Sequence, residues 1–424
     1  AGIVGMPEGY ALTETEAEIK AELAESDVTE LLEALTPGED YAEAEVVCLA
    51  DDRAHAELIA AAYGGELADY GYGVATISLA DTGLAVGEAV EIGADIGLEI
   101  PAVEPNYYLE LDGDLSFEAF PDGEQTAETP ALNSVSFNDP CLDPSSSFYQ
   151  WHHAMIGTPE AWEVTTGSGD ITVAVIDTGL RTTHEEFAGK TSGTVTEVDI
   201  GLGTGDGNGH GTHVAGLIGA AANNGKGGAG VAPGVSLLSL RTAPQDEPST
   251  PKLAYILRAI NYVIGANEDG SGVASGRRAD IISMSISFKS ESENTIASFK
   301  KLVELVREEG VTFCSSMSND GKNEIRYPAW YDEVIAVAAV TQSGDRASFS
   351  NYGEWADIAA PGSAIYSTDK DSDSDYISKN GTSQATPIVA GACALYMSAA
   401  GHVDPVTMRS EEHTSELQSH HDLV

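Results

Sequence analysis

Positive charge is scarce in this chain: 20 Lys+Arg stand against 68 Asp+Glu in 424 residues, a formal net charge of -48. Nucleic acid and anionic membrane surfaces are bound through clustered Lys and Arg, so neither is expected as the main partner. Cysteine is scarce too. Cys48, Cys141, Cys314 and Cys393 are too few to staple a scaffold and too far apart for CxxC-type metal or redox spacing. They read as buried thiols, with room for one bridge that sequence does not assign. Long apolar runs are missing, none reaching the roughly 18 residues of a membrane span. No signal peptide is visible, and the chain opens at Ala1 without an initiator Met, which leaves the true N-terminus undefined.

What is present suffices for a core. Hydrophobic residues make up 42% of the chain, and the length allows two or three domains. The acid is unevenly spread: residues 1–130 hold 31 Asp+Glu and 2 Lys+Arg, and the rest hold 37 and 18. Two differently built parts therefore meet near residue 130. Residues 12–35, rich in Glu, Ala and Leu and stopped by Pro37-Gly38, read as an exposed acidic helix within an N-terminal extension, 1–40. From 41 to 111 the pattern is β-α-β-β-α-β, with a hairpin across Gly71-Tyr72-Gly73, which suits a small ferredoxin-like α+β domain. Residues 112–146, rich in Asp, Pro, Ser and Gly, read as a linker.

Beyond 147 the register changes. β-rich runs at 171–176, 235–240, 280–285, 311–316 and 334–340 alternate with helical patterns, the clearest placing Leu253, Ile256, Ile260 and Val263 on one face. Continuous apolar strands between helices predict an α/β fold, a parallel sheet with helices on both faces. In such sheets chemistry gathers at the carboxyl ends of the strands. Polar motifs fall at those ends. AVIDTGL puts Asp177 at the end of a strand. GNGHGTHVAGLIGA opens a helix with His210 and places His213 one turn on, with small residues (Gly211, Ala215, Gly216) that predict a helix pressed against the sheet. NGTSQATPIVAGACAL sets Ser383 on a turn into a helix containing Pro387. Singly, these residues are a turn former, a helix histidine and an N-cap. Together, in the order Asp…His…Ser, they are the three groups a serine nucleophile needs: an imidazole to take its proton and a carboxylate to orient the imidazole.

With its IDTG, HGTHVAG and GTSxAxP blocks, the chain resembles the subtilisin-like serine proteases, the subtilases, over about 150–408. The resemblance implies a subtilisin-like sheet and a secreted serine endopeptidase made as a self-processing zymogen. Asp177 would orient the imidazole, His210 act as base and then acid, and Ser383 attack. Asn319, in SMSND, would hold the oxyanion with the Ser383 backbone N–H, and Ser318 stands where Gly is common. His213 falls on a structural histidine. Substrate would lie as an added strand against SMSIS, with Ser285, Ile286 and Ser287 on one wall of the pocket and Asp320, Glu324 and Arg326 near the other. Ser287 replaces a usual Gly and is expected to narrow that wall. Arg326 would either favour acidic side chains or pair with Asp320 or Glu324. Structural Ca²⁺ is implied at 222–233, with Glu186 and Asn223 as ligands and Lys226 arguing against a tight site. Asp369, Asp371, Asp373 and Asp375 lack an EF-hand's spacing and read as an acidic hairpin.

In the same resemblance 41–111 is a propeptide, a folding assistant and intramolecular inhibitor whose tail AVEPNYYLEL enters the cleft. Self-cleavage would fall between about 111 and 146, and protonation of this acidic segment is expected to weaken its hold. No catalytic cofactor and a monomer are implied. A catalytically inactive subtilase-fold binding protein is the alternative; an acidic ion-binding surface protein would explain the charge but none of the motifs. Finally, RSEEHTSELQS within 409–424 resembles a translated sequencing adapter, so the catalytic domain 147–408 is expected to be C-terminally truncated and 409–424 to be an artefact.

Overall fold

The computed structural model describes residues 3–26, 32–112, 137–247, 249–272, 276–289 and 296–410. Most of the expected linker and nearly all of the adapter-like tail lie outside the described residues. Two compact units emerge, and they do not follow the chain in order. One comprises Ala1–Leu109, Thr250–Arg278 and Ser290–Glu309; the other comprises Glu110–Ser249, Ala279–Lys289 and Gly310–Val424.

The first unit is built on a four-stranded antiparallel sheet. Its elements are α1 (Glu14–Glu25), β1 (Tyr41–Leu49), α2 (Arg53–Ala62), β2 (Glu66–Gly71), β3 (Val74–Ser78), α3 (Val86–Ala94) and β4 (Glu104–Tyr107). The sheet order β2-β3-β1-β4 follows the expected β-α-β-β-α-β sequence. Gly71 pairs with Val74, so Tyr72 and Gly73 form a two-residue loop, and both take positive φ (53° and 76°). That is the backbone a type I′ hairpin requires.

Helix α1 is not the exposed acidic helix its composition suggests. Thr13 and Glu16 form a capping box, and Glu16, Ile19, Lys20 and Leu23 are buried. Lys20 Nζ donates to the carbonyls of Gly93 and Ile100. Helices α5 (Leu253–Val263) and α6 (Ala297–Glu308) also belong to this unit. Leu253, Ile256, Ile260 and Val263 are all buried, as their spacing predicts. Lys300 and Lys301 on α6 pair with Glu22 and Glu18 on α1 at 3.1 and 2.6 Å. Helix α6 has no side-chain cap of its own; Glu104 of β4 accepts from the Ser298 N–H at 3.2 Å instead. Burial raises the Glu104 carboxyl to about 7, against the opposing pull of those N–H groups.

The second unit is organised around a seven-stranded parallel sheet. Its strands are β6 (Thr172–Asp177), β7 (Val195–Val198), β8 (Ser236–Arg241), β9 (Ile281–Met284), β11 (Thr312–Ser316), β12 (Val334–Val340) and β13 (Ile358–Pro361). The order is β13-β12-β11-β9-β6-β8-β7. β7 and β8 lie on one side of β6 and β9 on the other, so the chain reverses direction across the sheet between β6 and β9, where ligand crevices form. Apart from this sheet, β5 (Glu110–Leu111) and β10 (Ile286–Ser287) form a short pair of their own. Helix α4 (His210–Gly219) and helix α7 (Thr382–Ala400) pack in the core cluster with Val173, Val175, Cys314 and Val337. β14 (Ile365–Thr368) and β15 (Tyr376–Lys379) form a hairpin whose loop carries the four aspartates, as read from the sequence. β7, Val-Thr-Glu-Val, carries no continuous apolar run and so does not stand out in the sequence. All four cysteines are free and buried, so the bridge left open by sequence is not made. No described helix is long and apolar enough to cross a membrane.

Replacing Glu104 by Ala removes the acceptor at the start of α6. A loss of about 1–2 kcal/mol is expected, read as a lower midpoint in urea with an unchanged slope.

Candidate active site

β6 ends in Asp177, which is 1% exposed, and the next two residues shape the turn beyond it. Gly179 has φ +115°, and a Cβ there would collide with the Gly205 carbonyl oxygen, so only glycine fits this close approach. Thr178 Oγ1 donates to Asp206 and accepts from the Gly211 N–H. Asp206 also accepts from the N–H groups of Asn208, Gly209 and Thr212 and from the Thr212 hydroxyl. It thus caps α4 and ties it to the end of β6. Sequence reading misses this residue, because it lies outside the N-cap position, which Gly209 occupies.

That tie delivers His210. Its Nδ1 lies 2.8 and 3.0 Å from the two Asp177 oxygens, and both side chains are buried. His213 serves otherwise: its Nε2 faces the carbonyls of Ile365 and Ile377 at 3.1 and 3.2 Å, and burial holds it well below the usual histidine range. It is a neutral structural link to the β14–β15 hairpin.

Ser383 stands in the first turn of α7, which packs against α4. Pro387 lacks the N–H that would bond the Ser383 carbonyl along the helix; the Ser285 hydroxyl donates to that carbonyl instead, at 3.3 Å. Asn319 follows β11. Its Oδ1 accepts from the N–H and hydroxyl of Thr382 at 2.8 and 3.0 Å, which turns Nδ2 outward, toward the Asp112 carbonyl oxygen 3.3 Å away. Ser318, where a Gly was expected, takes φ +73°, so the left-handed backbone is kept without the glycine.

The cleft holds a strand of this same chain. β5 pairs antiparallel with β10: Ile286 faces Leu111 and Ser287 faces Glu110. The Asp112 N–H continues the ladder to the Ser285 carbonyl at 3.1 Å. The Asp112 carbonyl oxygen then meets both the Ser383 hydroxyl and Asn319. Its carboxylate takes the Ser287 hydroxyl at 2.7 Å and the Ser316 hydroxyl. Ser285, Ile286 and Ser287 therefore lie against the strand formed by residues 110–112. The Asp320 carboxylate holds Arg326 Nη2 at 2.8 Å. Arg326 Nη1 reaches Glu110 at 2.7 Å, and Glu324 lies 3.9 Å away. Asp112, Ser316 and Glu110 are partners that sequence does not reveal; Ser316 carries no motif and reads as one more residue of a buried strand.

The calcium ligands are not assembled as expected. Glu186 Oε1 accepts from the Tyr376 hydroxyl and Oε2 from the Asn224 amide, at 2.6 and 2.7 Å. The Asn223 backbone N–H donates to Asp139 at 2.6 Å. Lys226 pairs with Glu185 at 3.0 Å. Among the described residues no group of three or more His, Cys, Asp or Glu side chains is placed to hold a metal. The residues present do not fit the predicted site, because hydrogen-bond donors already occupy the Glu186 carboxylate.

A model of the Subtilase family matches residues 168–421. The chain is a subtilase. It is 36% identical to thermitase of Thermoactinomyces vulgaris over 60% of this chain and 85% of that protein. It is 34% identical to a thermophilic serine proteinase of Bacillus sp. (strain AK1), over 65% of this chain and 67% of the other. Among solved structures it is similar to fervidolysin of Fervidobacterium pennivorans, a keratinolytic enzyme related to subtilisin, with a TM-score of 0.66 and 25% identity. That likeness covers 88% of this chain and 57% of fervidolysin. The subtilisin-like fold and serine endopeptidase activity of the subtilase follow from these matches.

In this subtilase, Asp206→Ala leaves the α4 N-terminus and Thr178 without their shared acceptor. Its melting temperature should fall by the equivalent of about 2 kcal/mol, with slower labelling of Ser383 by a fluorophosphonate; an unchanged labelling rate would show that His210 does not depend on the cap.

Proposed function

We propose that this subtilase is a self-processing zymogen that cuts peptide bonds with Asp177, His210, Ser383 and Asn319, and that its first cut follows Asp112. The observation that carries this reading is the Asp112 carbonyl, which faces the serine hydroxyl and the Asn319 amide while its chain lies as an antiparallel strand in the cleft. β-strand addition is a common way to present a peptide to a sheet edge.

The proposed steps run as an acyl transfer through Ser383. Ser383 Oγ attacks the Asp112 carbonyl carbon as its proton passes to His210 Nε2. Asp177, on Nδ1, keeps that nitrogen protonated and stabilises the imidazolium. The negative charge on the carbonyl oxygen is held by Asn319 Nδ2, a kind of donor whose loss costs about 10²–10³ in kcat. The bond to Gly113 breaks, its electron pair going to the amide nitrogen, and His210 returns the proton to the leaving amine. Water then attacks the acyl-enzyme, gives its proton to His210 and releases the Asp112 carboxylate, while Ser383 regains its own.

On this reading residues 41–112 are a propeptide that fills the cleft until processing, and the mature enzyme acts outside the cell. What supports the propeptide role is its sheet architecture and its direct continuation into β5. The buried Asp177–His210 pair and the Asp112 carbonyl against Ser383 support an active enzyme over an inactive binding protein. Calcium does not enter the mechanism.

The purified chain should label with a fluorophosphonate and yield a product beginning at Gly113; Ser383→Ala should do neither. Failure of a cooperatively folded wild type to label would sink the protease reading.

A second expectation concerns pH. Burial raises the Asp112 carboxyl to about 6, although the hydroxyls of Ser316 and Ser287 and the Arg326 charge oppose the shift. A raised carboxyl binds best protonated, so its contribution is complete below the ordinary value near 3.8 and is lost as pH rises through about 6. The sign at this residue is opposite to the expected loosening on protonation. Glu110, paired with Arg326, pulls the other way, but its side chain is 62% exposed and such pairs contribute little. In an uncleavable Ser383→Ala background, Asp112→Asn should gain stability relative to Asp112 between pH 5 and 7.5, on the order of 1–3 kcal/mol. A difference independent of pH would show that the carboxyl does not titrate in the cleft.

A further inference from the structure

The side chain of Asp112 lies in a pocket whose polar groups match it. Asp112 is 4% exposed, and Ser287 and Ser316 are fully buried. Each hydroxyl donates to a different carboxylate oxygen, Ser287 to Oδ1 and Ser316 to Oδ2. The Arg326 guanidinium, 5% exposed, adds positive charge: its attraction is among the causes acting on the Asp112 carboxyl. Asp320 fixes this guanidinium through Nη2, leaving Nη1 to the carboxylate of Glu110 two residues upstream.

An apolar side chain in this pocket would leave two buried hydroxyls facing it without an acceptor. A site built to hydrogen-bond its substrate rejects analogues that lack the matching group. Ser287 is central because a glycine there, the residue expected at this position, offers no hydroxyl. The substitution that was expected only to narrow the wall supplies a donor.

We infer that this subtilase prefers substrates with aspartate immediately before the cut and an acidic residue two positions earlier, with Ser287 and Ser316 recognising the first and Arg326 the second. The inference rests on the protease reading and deepens it: the processing segment Tyr-Leu-Glu-Leu-Asp would be a sample of the substrates cleaved in trans. Asn, which keeps one acceptor and brings no charge to bury, should be the next best residue in the pocket and should close on Asp as pH rises through about 6.

The test uses the processed full-chain enzyme and coumarin-amide peptides. Tyr-Leu-Glu-Leu-Asp is compared with versions ending in Asn or Leu, and with Ala in place of Glu. The wild type should hydrolyse the Asp peptide about tenfold or more faster, in kcat/KM, than the Leu peptide. The Glu-to-Ala peptide should lose about two- to fivefold, more at low salt, as an exposed pair would. Ser287→Gly with Ser316→Ala should lower kcat/KM for Asp by about tenfold or more while the Leu rate holds or rises, which also shows that the variant folds. A wild type that cuts the Leu peptide as fast as the Asp peptide overturns the inference and leaves the protease reading intact. A folded wild type that cuts none of the peptides and does not label with fluorophosphonate overturns both.

Discussion

A parallel sheet covered on both faces has no hydrophilic side, so its polar chemistry has to sit at the ends of its strands. Asp177, Ser316 and Ser285 obey that constraint. Asp177 ends β6, Ser316 ends β11, and Ser285 follows β9. The two helices that face these ends start there, at His210 and Thr382. The buried Asp177–His210 pair is possible because Thr178 and Asp206 stitch the strand end to the helix start. Without that stitch, two ionisable groups would be taken out of water with nothing to fix their geometry, a costly arrangement.

How much of this is legible in the sequence depends on whether a residue's role is local. The strands at 172–177 and 334–340 and the helix at 253–263 announce themselves by apolar continuity or a period of 3.6. The residues Asp177, His210, Ser383 and Asn319 sit in short motifs whose spacing reflects strand-end and helix-start geometry. Ser316 and Asp206 do not. Ser316 is one serine in a buried strand, and its partner Asp112 is 204 positions away. Asp206 lies in a Gly- and Asp-rich stretch that reads as loop. The predicted calcium ligands fail for the converse reason: a loop's composition suggests oxygen donors, but the Asn224 amide takes the Glu186 carboxylate. Helix α1 misleads because its acid is visible in the sequence and its use is not. Glu18 and Glu22 face lysines on α6, nearly 300 positions later.

The surplus of acid now divides into separate uses. Part of it makes local structure: Asp206 and Glu104 cap helices, and Asp139 holds the loop at 223–224. Another part meets the few cations, so that Lys300, Lys301, Arg326 and Arg258 each have a carboxylate partner. With only 20 Lys+Arg in the chain, each basic residue that is buried marks a place where structure demanded it. Arg326 is such a residue, shared between a wall of the cleft and the strand within it.

Asp112 and the hydroxyls that hold it are encoded in one reading frame. If maturation requires the first cut, a change in the pocket is screened by residue 112 before any outside substrate is met, and a change at residue 112 is screened by the pocket. Specificity would then be inherited as a lock together with its key. An engineered or evolved shift in what this enzyme cuts would have to rewrite both on the same molecule, or leave it sealed by its own tail.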